Sequence, residues 1–339
     1  MNKILVCFGT RPEIIKLSPL IQELSKKFEV LTLFTGQHSS LFDDVKHLIP
    51  NINILMPSYA DTSLAKSYSR LQENISNALE EVSPDLVIVQ GDTSSAYAAA
   101  LSAFLMGIKV GHVEAGLRTN DIASPFPEEF NRQMISKIAY YNWCPSELAA
   151  ENLIKENVYG KIIVTGNTIV DMIIKNFDIS DITYNKDIII TLHRRENKEL
   201  FLGILKQIKE ISETYPEFNF IFPVHPNPII RNQLDILLNS NVKIIEPMKY
   251  EPFIGMIKNC LGIISDSGGI QEEAVCFKKR VLVCRSNTER MEGVKIGACR
   301  LVGGNIKDNF EWLINIDKYP IENPYGDGRA CEKITDTIE

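Results

Sequence analysis

The sequence predicts an α/β protein built from two doubly wound parallel sheets. Short β-branched runs bounded by turn residues alternate with amphipathic, helix-length stretches along the whole chain. The runs are almost continuously apolar, as strands covered on both faces by helices must be. They also fall into two successive series, in a chain whose 339 residues exceed one ordinary core.

The first series reads KILVCF (3–8), EVLTLFTG (29–36), DLVIVQ (85–90), KVGHV (109–113), YNWC (141–144) and KIIVT (161–165). The second reads DIIIT (187–191), FNFIFPV (218–224), VKIIE (242–246), LGIIS (261–265) and VLVC (281–284). Between the series, TGNTIVD (165–171) places a Gly-Asn turn before a new helix. The expected domains are therefore 1–166 and 167–326. ENPYGDGRA (322–330) supplies a turn and a helix start, so 327–339 is expected to form a helix that crosses back to the first domain.

Composition removes several classes of function. A hydrophobic content of 45% marks a soluble globular chain, and no apolar run approaches the roughly 18 residues a bilayer span requires. KILVCF has no cleavage pattern behind it, so the expected location is the cytoplasm, with no membrane partner. Seven cysteines without a C-x-x-C pair point to free thiols and to no structural metal. A formal net charge of −7 argues against a nucleic-acid partner but permits a small anion held by a local cluster. There is no G-x-G-x-x-G, so a nicotinamide cofactor lacks its fingerprint, and no cofactor is expected.

Ligands of doubly wound sheets bind outside the carboxyl ends of the strands. There the sequence places GTRPEIIK, GQH, GDTSS, EAGLRT, LHRRE, VHPNP and DSGGIQEE. Four of five histidines, His38, His112, His193 and His225, lie at such ends; His47 reads as helix surface. Arg194, Arg195, His193 and His225 form the cationic candidates of the second half. Ser267, Gly268 and Gly269 open a helix whose first N–H groups suit a phosphate, and an ordinary strand-to-helix turn explains them equally well. Glu273, one turn in, could accept the hydroxyls of a ribose. GTRPE gives a second close-approach loop with Arg11 and Lys16 one turn apart. Carboxylates gather in the first domain at Asp92, Glu114, Glu128 and Glu129. Asp92 could simply cap the helix after it, and the glutamates could simply favour a helix dipole. Together they suit acid and base work beside an anionic leaving group.

FGTRPEIIKLSPL, TGQH, QGDT, GHVEAGLRT, SPFPEEFNRQ, TGNTIVD, HRREN, PVHPNP, SDSGGIQEEA, TER and NPYGDGRA occur in this order over nearly the whole chain. In this the sequence resembles the non-hydrolysing UDP-N-acetylglucosamine 2-epimerases. The resemblance implies two Rossmann-like domains of GT-B type with the active site in the interdomain cleft. It implies interconversion of UDP-GlcNAc and UDP-ManNAc by elimination of UDP to 2-acetamidoglucal and re-addition. By motif, Asp92, Glu114 and Glu128 match the family's catalytic acids and His193 its catalytic histidine. Arg11, Lys16, Gln37, His38, Arg195 and His225 fall at substrate-binding positions, Ser267, Gly268 and Gly269 at the diphosphate, Glu273 at the ribose and Phe253 near the uracil. A homodimer is the common family state, and its product usually feeds surface polysaccharide.

The sequence departs from the family in its activator motif, at Met291, and in a second domain that looks trimmed, with FDISDITYNKDIII (177–190) a short entry to its first strand and HRRENKEL (193–200) a short loop. Many bacterial members bind a second UDP-GlcNAc as activator through a Gln-His pair with further Arg and Gln residues. Here Gln37 and His38 are followed by Ser39 and Ser40, and PSYADTSL carries no arginine. TERMEG has Met291 where the family usually has proline. The alternatives are a 2-epimerase for a modified UDP-HexNAc (a uronate or deoxy sugar), a GT-B glycosyltransferase, and a non-catalytic nucleotide-sugar sensor.

Overall fold

The computed structural model describes residues 2–37, 42–49, 51–58, 63–193, 198–225, 228–316, 319 and 322–339. The chain divides into two compact units, Met1–Asn176 with Tyr325–Glu339, and Phe177–Pro324.

Among the described residues, the first unit holds seven parallel strands: β1 (Lys3–Phe8), β2 (Glu29–Phe34), β3 (Ile54–Leu55), β4 (Leu86–Gln90), β5 (Lys109–Val113), β6 (Tyr141–Cys144) and β7 (Lys161–Val164). Their order is β3-β2-β1-β4-β5-β6-β7. Residues Ile4–Phe8 are fully buried, as expected of a strand covered on both faces. On one face Leu5, Cys7, Val87, Val89 and Val110 pack with Ile75, Leu79, Ala99 and Ile135 from the helices Leu64–Val82, Ser94–Leu105 and Glu128–Ile138. The helix Arg11–Leu24 starts with Pro12 in its first turn and continues through Pro19. Pro19 has no N–H to give the carbonyl of Ile15, and the Ser18 hydroxyl donates to that oxygen instead, at 3.1 Å.

The helix Thr168–Asn176 and the last helix, Ala330–Asp336, both pack on the helix Arg11–Leu24. The carboxylate of Asp171 accepts from the N–H groups of Ala330 (3.1 Å) and Cys331 (2.9 Å) at the start of the last helix. Trp143 Nε1 donates to Thr337 Oγ1 at 2.9 Å. The division therefore falls after Asn176 and before Tyr325, where turn residues alone suggest 166 and 326. The physical reason is the apolar face of Ile169, Val170, Met172 and Ile173, which is buried in the first unit.

The second unit holds, among the described residues, β8 (Asp187–Thr191), β9 (Asn219–Pro223), β10 (Val242–Ile245), β11 (Gly262–Ser265), β12 (Arg280–Val283) and β13 (Cys299–Leu301), all parallel, in the order β10-β9-β8-β11-β12-β13. Ile188, Ile190, Phe220, Phe222, Ile264 and Leu282 form its core with Leu205, Ile208 and Phe310. In each sheet the strand order reverses once, between β1 and β4 and between β8 and β11, which makes the loops after those strands the places to look for chemistry. All seven cysteines are free and buried. Among the described residues no helix is long and apolar enough to cross a membrane.

Candidate active site

The turn that leaves β4, Gly91-Asp92-Thr93, is held at every residue. Gly91 N–H donates to Val113 O at 3.0 Å, and the Gly91 carbonyl lies 2.8 Å from His112 Nε2. Asn131 Nδ2 donates to the Asp92 carbonyl at 2.8 Å. Arg132 grips the Asp92 carboxylate, with Nε 3.0 Å from Oδ2 and Nη2 closer still. The Thr93 hydroxyl donates to Glu13 Oε1 at 2.8 Å and accepts from Ala96 N–H at 2.9 Å. Thr93, not Asp92, is therefore the cap of the helix Ser94–Leu105, which removes the capping explanation for Asp92.

The next loop carries Glu114 in the left-handed region, at φ 67°. A non-glycine residue there is strained and persists only when its surroundings fix it. They do so here: Lys16 Nζ donates to Glu114 Oε2 at 2.5 Å, and Gln90 Nε2 reaches the same oxygen. Lys16 and Glu114 are both buried, which makes the pair a costly feature unless well formed.

Glu13, in the first turn of the helix Arg11–Leu24, ties the β1 and β4 loops together. Its Oε2 accepts from Gly9 N–H (3.1 Å), Thr10 N–H (2.8 Å) and the Thr10 hydroxyl (2.7 Å), while Oε1 accepts from Thr93. Burial pushes this carboxyl up to about 7, against four hydrogen bonds that favour the ionised form. Gly9 has no room for a Cβ, which would collide with the hydroxyls of Ser95 and Thr35. Sequence reasoning missed Glu13, although its spacing from Thr10 is that of a capping box.

Glu128 begins the helix Glu128–Ile138 and is half-buried. Its neighbour Glu129 is fully buried and accepts from Thr119 N–H (3.1 Å), Asn120 N–H (3.2 Å), Gln133 Nε2 (2.9 Å) and Arg132 Nη1 (2.8 Å). One helix thus presents Glu128 and also supplies both side chains, Asn131 and Arg132, that hold Asp92.

One expectation is corrected. His112 is not a ligand-facing residue: it is fully buried in the sheet, and burial first, then the Arg118 and Arg132 charges, lower its pKa to about 4. It is neutral at neutral pH and its Nε2–H donates to Gly91. Arg118 forms a two-pronged pair with Glu156, Nε at 2.6 Å and Nη2 at 2.9 Å, a structural role. His47 is exposed in a short 3-10 turn, Lys46–Leu48. Arg11 pairs with Asp44 at 3.5 Å. Gln37 Oε1 accepts from Ser95 N–H (3.0 Å) and Ser95 Oγ (2.7 Å), so its amide is engaged with the start of the helix Ser94–Leu105.

In the second unit, His193 follows β8. Its N–H donates to both oxygens of buried Asp266 (3.0 and 3.1 Å), its Nδ1 lies 3.3 Å from Asp266 Oδ1, and its ring stacks on that of exposed His225 at 5.7 Å. Asp266 leads into the helix Gly268–Cys276, whose N-cap Ser267 makes no side-chain capping bond; the first N–H groups of a helix have no intrahelical partner. A Cβ on Gly268 would lie 2.5 Å from Arg290 Nη1, whereas one on Gly269 would meet open space. The first glycine makes room for Arg290, which is buried against Glu272 (2.8 Å) and Glu289; the second leaves the helix start accessible. Glu273 Oε1 accepts at 3.1 Å from the hydroxyl of Tyr250, which opens the helix Tyr250–Asn259, and Phe253 is half-buried three residues further along the same helix. His38 and Arg195 lie outside the described residues.

The family model described as UDP-N-acetylglucosamine 2-epimerase matches residues 22–339. The chain belongs to the UDP-N-acetylglucosamine 2-epimerase family. A UDP-N-acetylglucosamine 2-epimerase of Neisseria meningitidis is 40% identical over 370 residues, covering 99% of this chain and 99% of its own. The crystal structure of the Neisseria meningitidis UDP-GlcNAc 2-epimerase bound to UDP-GlcNAc is similar at a TM-score of 0.91 and 37% identity, with 99% of both chains covered. The Methanocaldococcus jannaschii UDP-GlcNAc 2-epimerase in complex with UDP-GlcNAc and UDP matches at 0.88 and 36%, with 98% of both covered. The two Rossmann-like domains implied by the motif order are those of this 2-epimerase family.

Proposed function

We propose that the protein interconverts UDP-N-acetylglucosamine and UDP-N-acetylmannosamine, with proton transfer assigned to the first unit and UDP binding to the second. The proton on sugar carbon 2 is not beside a carbonyl, so its direct removal to a carbanion is prohibitive. Elimination avoids this. A carboxylate takes the carbon-2 proton, the C–H electron pair becomes the double bond of 2-acetamidoglucal, and the carbon-1 to oxygen bond breaks with its pair on UDP. Re-addition of UDP with protonation on the opposite face of carbon 2 gives the epimer.

The observation that carries this reading is the placing of Asp92, Glu114 and Glu128. They stand on the β4 loop, the β5 loop and the helix start that precedes β6, each fixed by buried partners or by a helix terminus. Proton transfer needs carboxylates held in place, and a sugar transferase would have no use for three of them. In the second unit the open helix start at Ser267, Gly268 and Gly269 suits the diphosphate, Glu273 the ribose and Phe253 the uracil; His193, oriented by Asp266, assists departure of the diphosphate. Arg11, Lys16, Gln37, His38, Arg195 and His225 complete the proposed substrate-binding set. Names of relatives support unmodified UDP-GlcNAc as substrate, and family habit supports a homodimer. Buried free thiols fit the cytoplasm.

Incubation with UDP-GlcNAc in deuterated water without an acceptor tests the reading. Deuterium at carbon 2 together with UDP-ManNAc is expected. Inertness without acceptor favours glycosyl transfer, and turnover only of a uronate or deoxy analogue favours a modified sugar.

A further inference from the structure

Tyr68 lies in the helix Leu64–Val82, outside every motif singled out in the sequence, yet its hydroxyl sits where the Asp92 and Glu128 elements meet. The hydroxyl donates to Asn131 Oδ1 at 2.8 Å. The charge of Glu128 is close enough to oppose its ionisation. Its ring is fixed edge-on against Tyr97 at 5.8 Å, and Tyr97 against Phe130 at 5.6 Å, so the hydroxyl has little freedom to move elsewhere.

The amide of Asn131 has two chemically different ends, and only one orientation serves Asp92. Because Tyr68 donates to Oδ1, Nδ2 is turned toward the Asp92 carbonyl, to which it donates at 2.8 Å. Asn131 is fully buried, so a misdirected amide would leave two polar groups unsatisfied and would release the Asp92 backbone from the helix that carries Glu128.

We propose that Tyr68 is a positioning residue for the epimerisation: through Asn131 it fixes the Asp92 backbone relative to Glu128 and so sets the spacing of two proton-transfer carboxylates. The inference rests on the proposed role of Asp92. Tyr68 itself exchanges no proton with the sugar.

Tyr68→Phe removes one oxygen and keeps the ring packing. Its kcat for UDP-GlcNAc conversion is expected to fall about 10- to 100-fold with KM nearly unchanged, the size of effect that sub-ångström to ångström misplacement produces, while the buried Asn131 oxygen left without its donor lowers the melting temperature by only about a few degrees. A double-mutant cycle supplies the decisive measurement. In an Asp92→Asn background, carbon-2 exchange in deuterated water should fall by less than about twofold on adding Tyr68→Phe, because the carboxylate it positions is gone. Asn131→Ala should reproduce the loss; if that variant fails to fold, Tyr68→Phe still decides. An unchanged kcat in Tyr68→Phe, or an equal fold-loss in both backgrounds, overturns the inference. Asp92→Asn with wild-type turnover would instead overturn the catalytic reading on which it stands.

Discussion

Arg132 pairs with both Asp92 and Glu129, joining the turn after β4 to the helix Glu128–Ile138 at a point four residues from the proposed acid Glu128. The guanidinium is buried, and its fork engages two carboxylates at once, a geometry that a lysine cannot copy.

Arg132→Met should therefore destabilise the protein by about 3–5 kcal/mol, the usual cost of removing one partner from a buried pair. Glu129 keeps three other donors, so the chain should still fold. Arg132→Lys should lose less stability than Arg132→Met but a comparable fraction of kcat, since the charge remains while the two-nitrogen grip on Asp92 is lost. Urea unfolding and turnover of UDP-GlcNAc, measured on both variants, separate the two effects; equal losses of kcat and stability in Arg132→Lys would contradict the assignment.

Asp92→Asn, Glu114→Gln and Glu128→Gln should each reduce turnover by about 100- to 10,000-fold, the range for loss of a positioned acid or base. Glu114→Gln should also lose stability, because it leaves the buried Lys16 ammonium without its carboxylate. Near-normal rates in all three soluble variants would end the elimination mechanism as assigned.

Two buried groups impose opposite pH dependences on stability. Glu13 titrates at about 7 in the folded chain and 4.5 in the reference state, so the folded form binds the extra proton between those values and its stability falls as pH rises through that window. His112 titrates at about 4 against 6.5, so the unfolded form binds the extra proton and stability is lost as pH falls from 6.5 to 4. Each shift corresponds to about 3 kcal/mol, and the two are of opposite sign. Glu13→Gln should uncover stability that rises steeply from pH 4 to 6.5, and His112→Asn stability that falls from pH 4.5 to 7. Urea midpoints across that range check both; parallel profiles for the two variants would refute the opposing signs.

Both sheets could be read from the sequence because their strands are buried on both faces and so remain apolar throughout, as Ile4–Phe8 and Ile188–Ile190 show. β3 and β13 escaped because two and three residues carry no period to detect. Acidic residues at strand ends could be found by position, and Asp92, Glu114 and Glu128 do occupy loops or helix starts at the carboxyl side of the first sheet. What could not be read was who holds whom. Tyr68 and Asn131 are 63 positions apart and Glu13 and Thr93 are 80 apart, and nothing local announces either contact. His112 misled for the same reason, since a histidine at a strand end looks alike whether it faces solvent or the core.

Tyr250 fixes one oxygen of Glu273 and should thereby tune nucleotide binding. Tyr250→Phe is expected to raise KM for UDP-GlcNAc about 5- to 10-fold, the worth of roughly one ordinary hydrogen bond, with kcat little affected. Titration with UDP alone should show the same weakening. A fall in kcat at constant KM would place Glu273 in the chemistry instead of at the ribose.

The paired glycines of SDSGG make the sharpest contrast. At Gly268 an added methyl meets Arg290 Nη1 at 2.5 Å, and that guanidinium cannot swing away because Glu272 and Glu289 hold it in the interior. Gly268→Ala should lower stability by about 1–3 kcal/mol through overpacking. At Gly269 the same methyl meets nothing, so stability should hold or rise slightly as a glycine in the first helical turn is replaced. It would nevertheless project beside the open helix start, the place assigned to the diphosphate, and should weaken UDP binding. Thermal melts with and without UDP distinguish the two: Gly268→Ala should shift the melt of the free protein, and Gly269→Ala should shrink the increment that UDP provides. If UDP raises the melting temperature of Gly269→Ala as much as that of the unaltered protein, the diphosphate binds elsewhere, and the helix Gly268–Cys276 is only a piece of the fold.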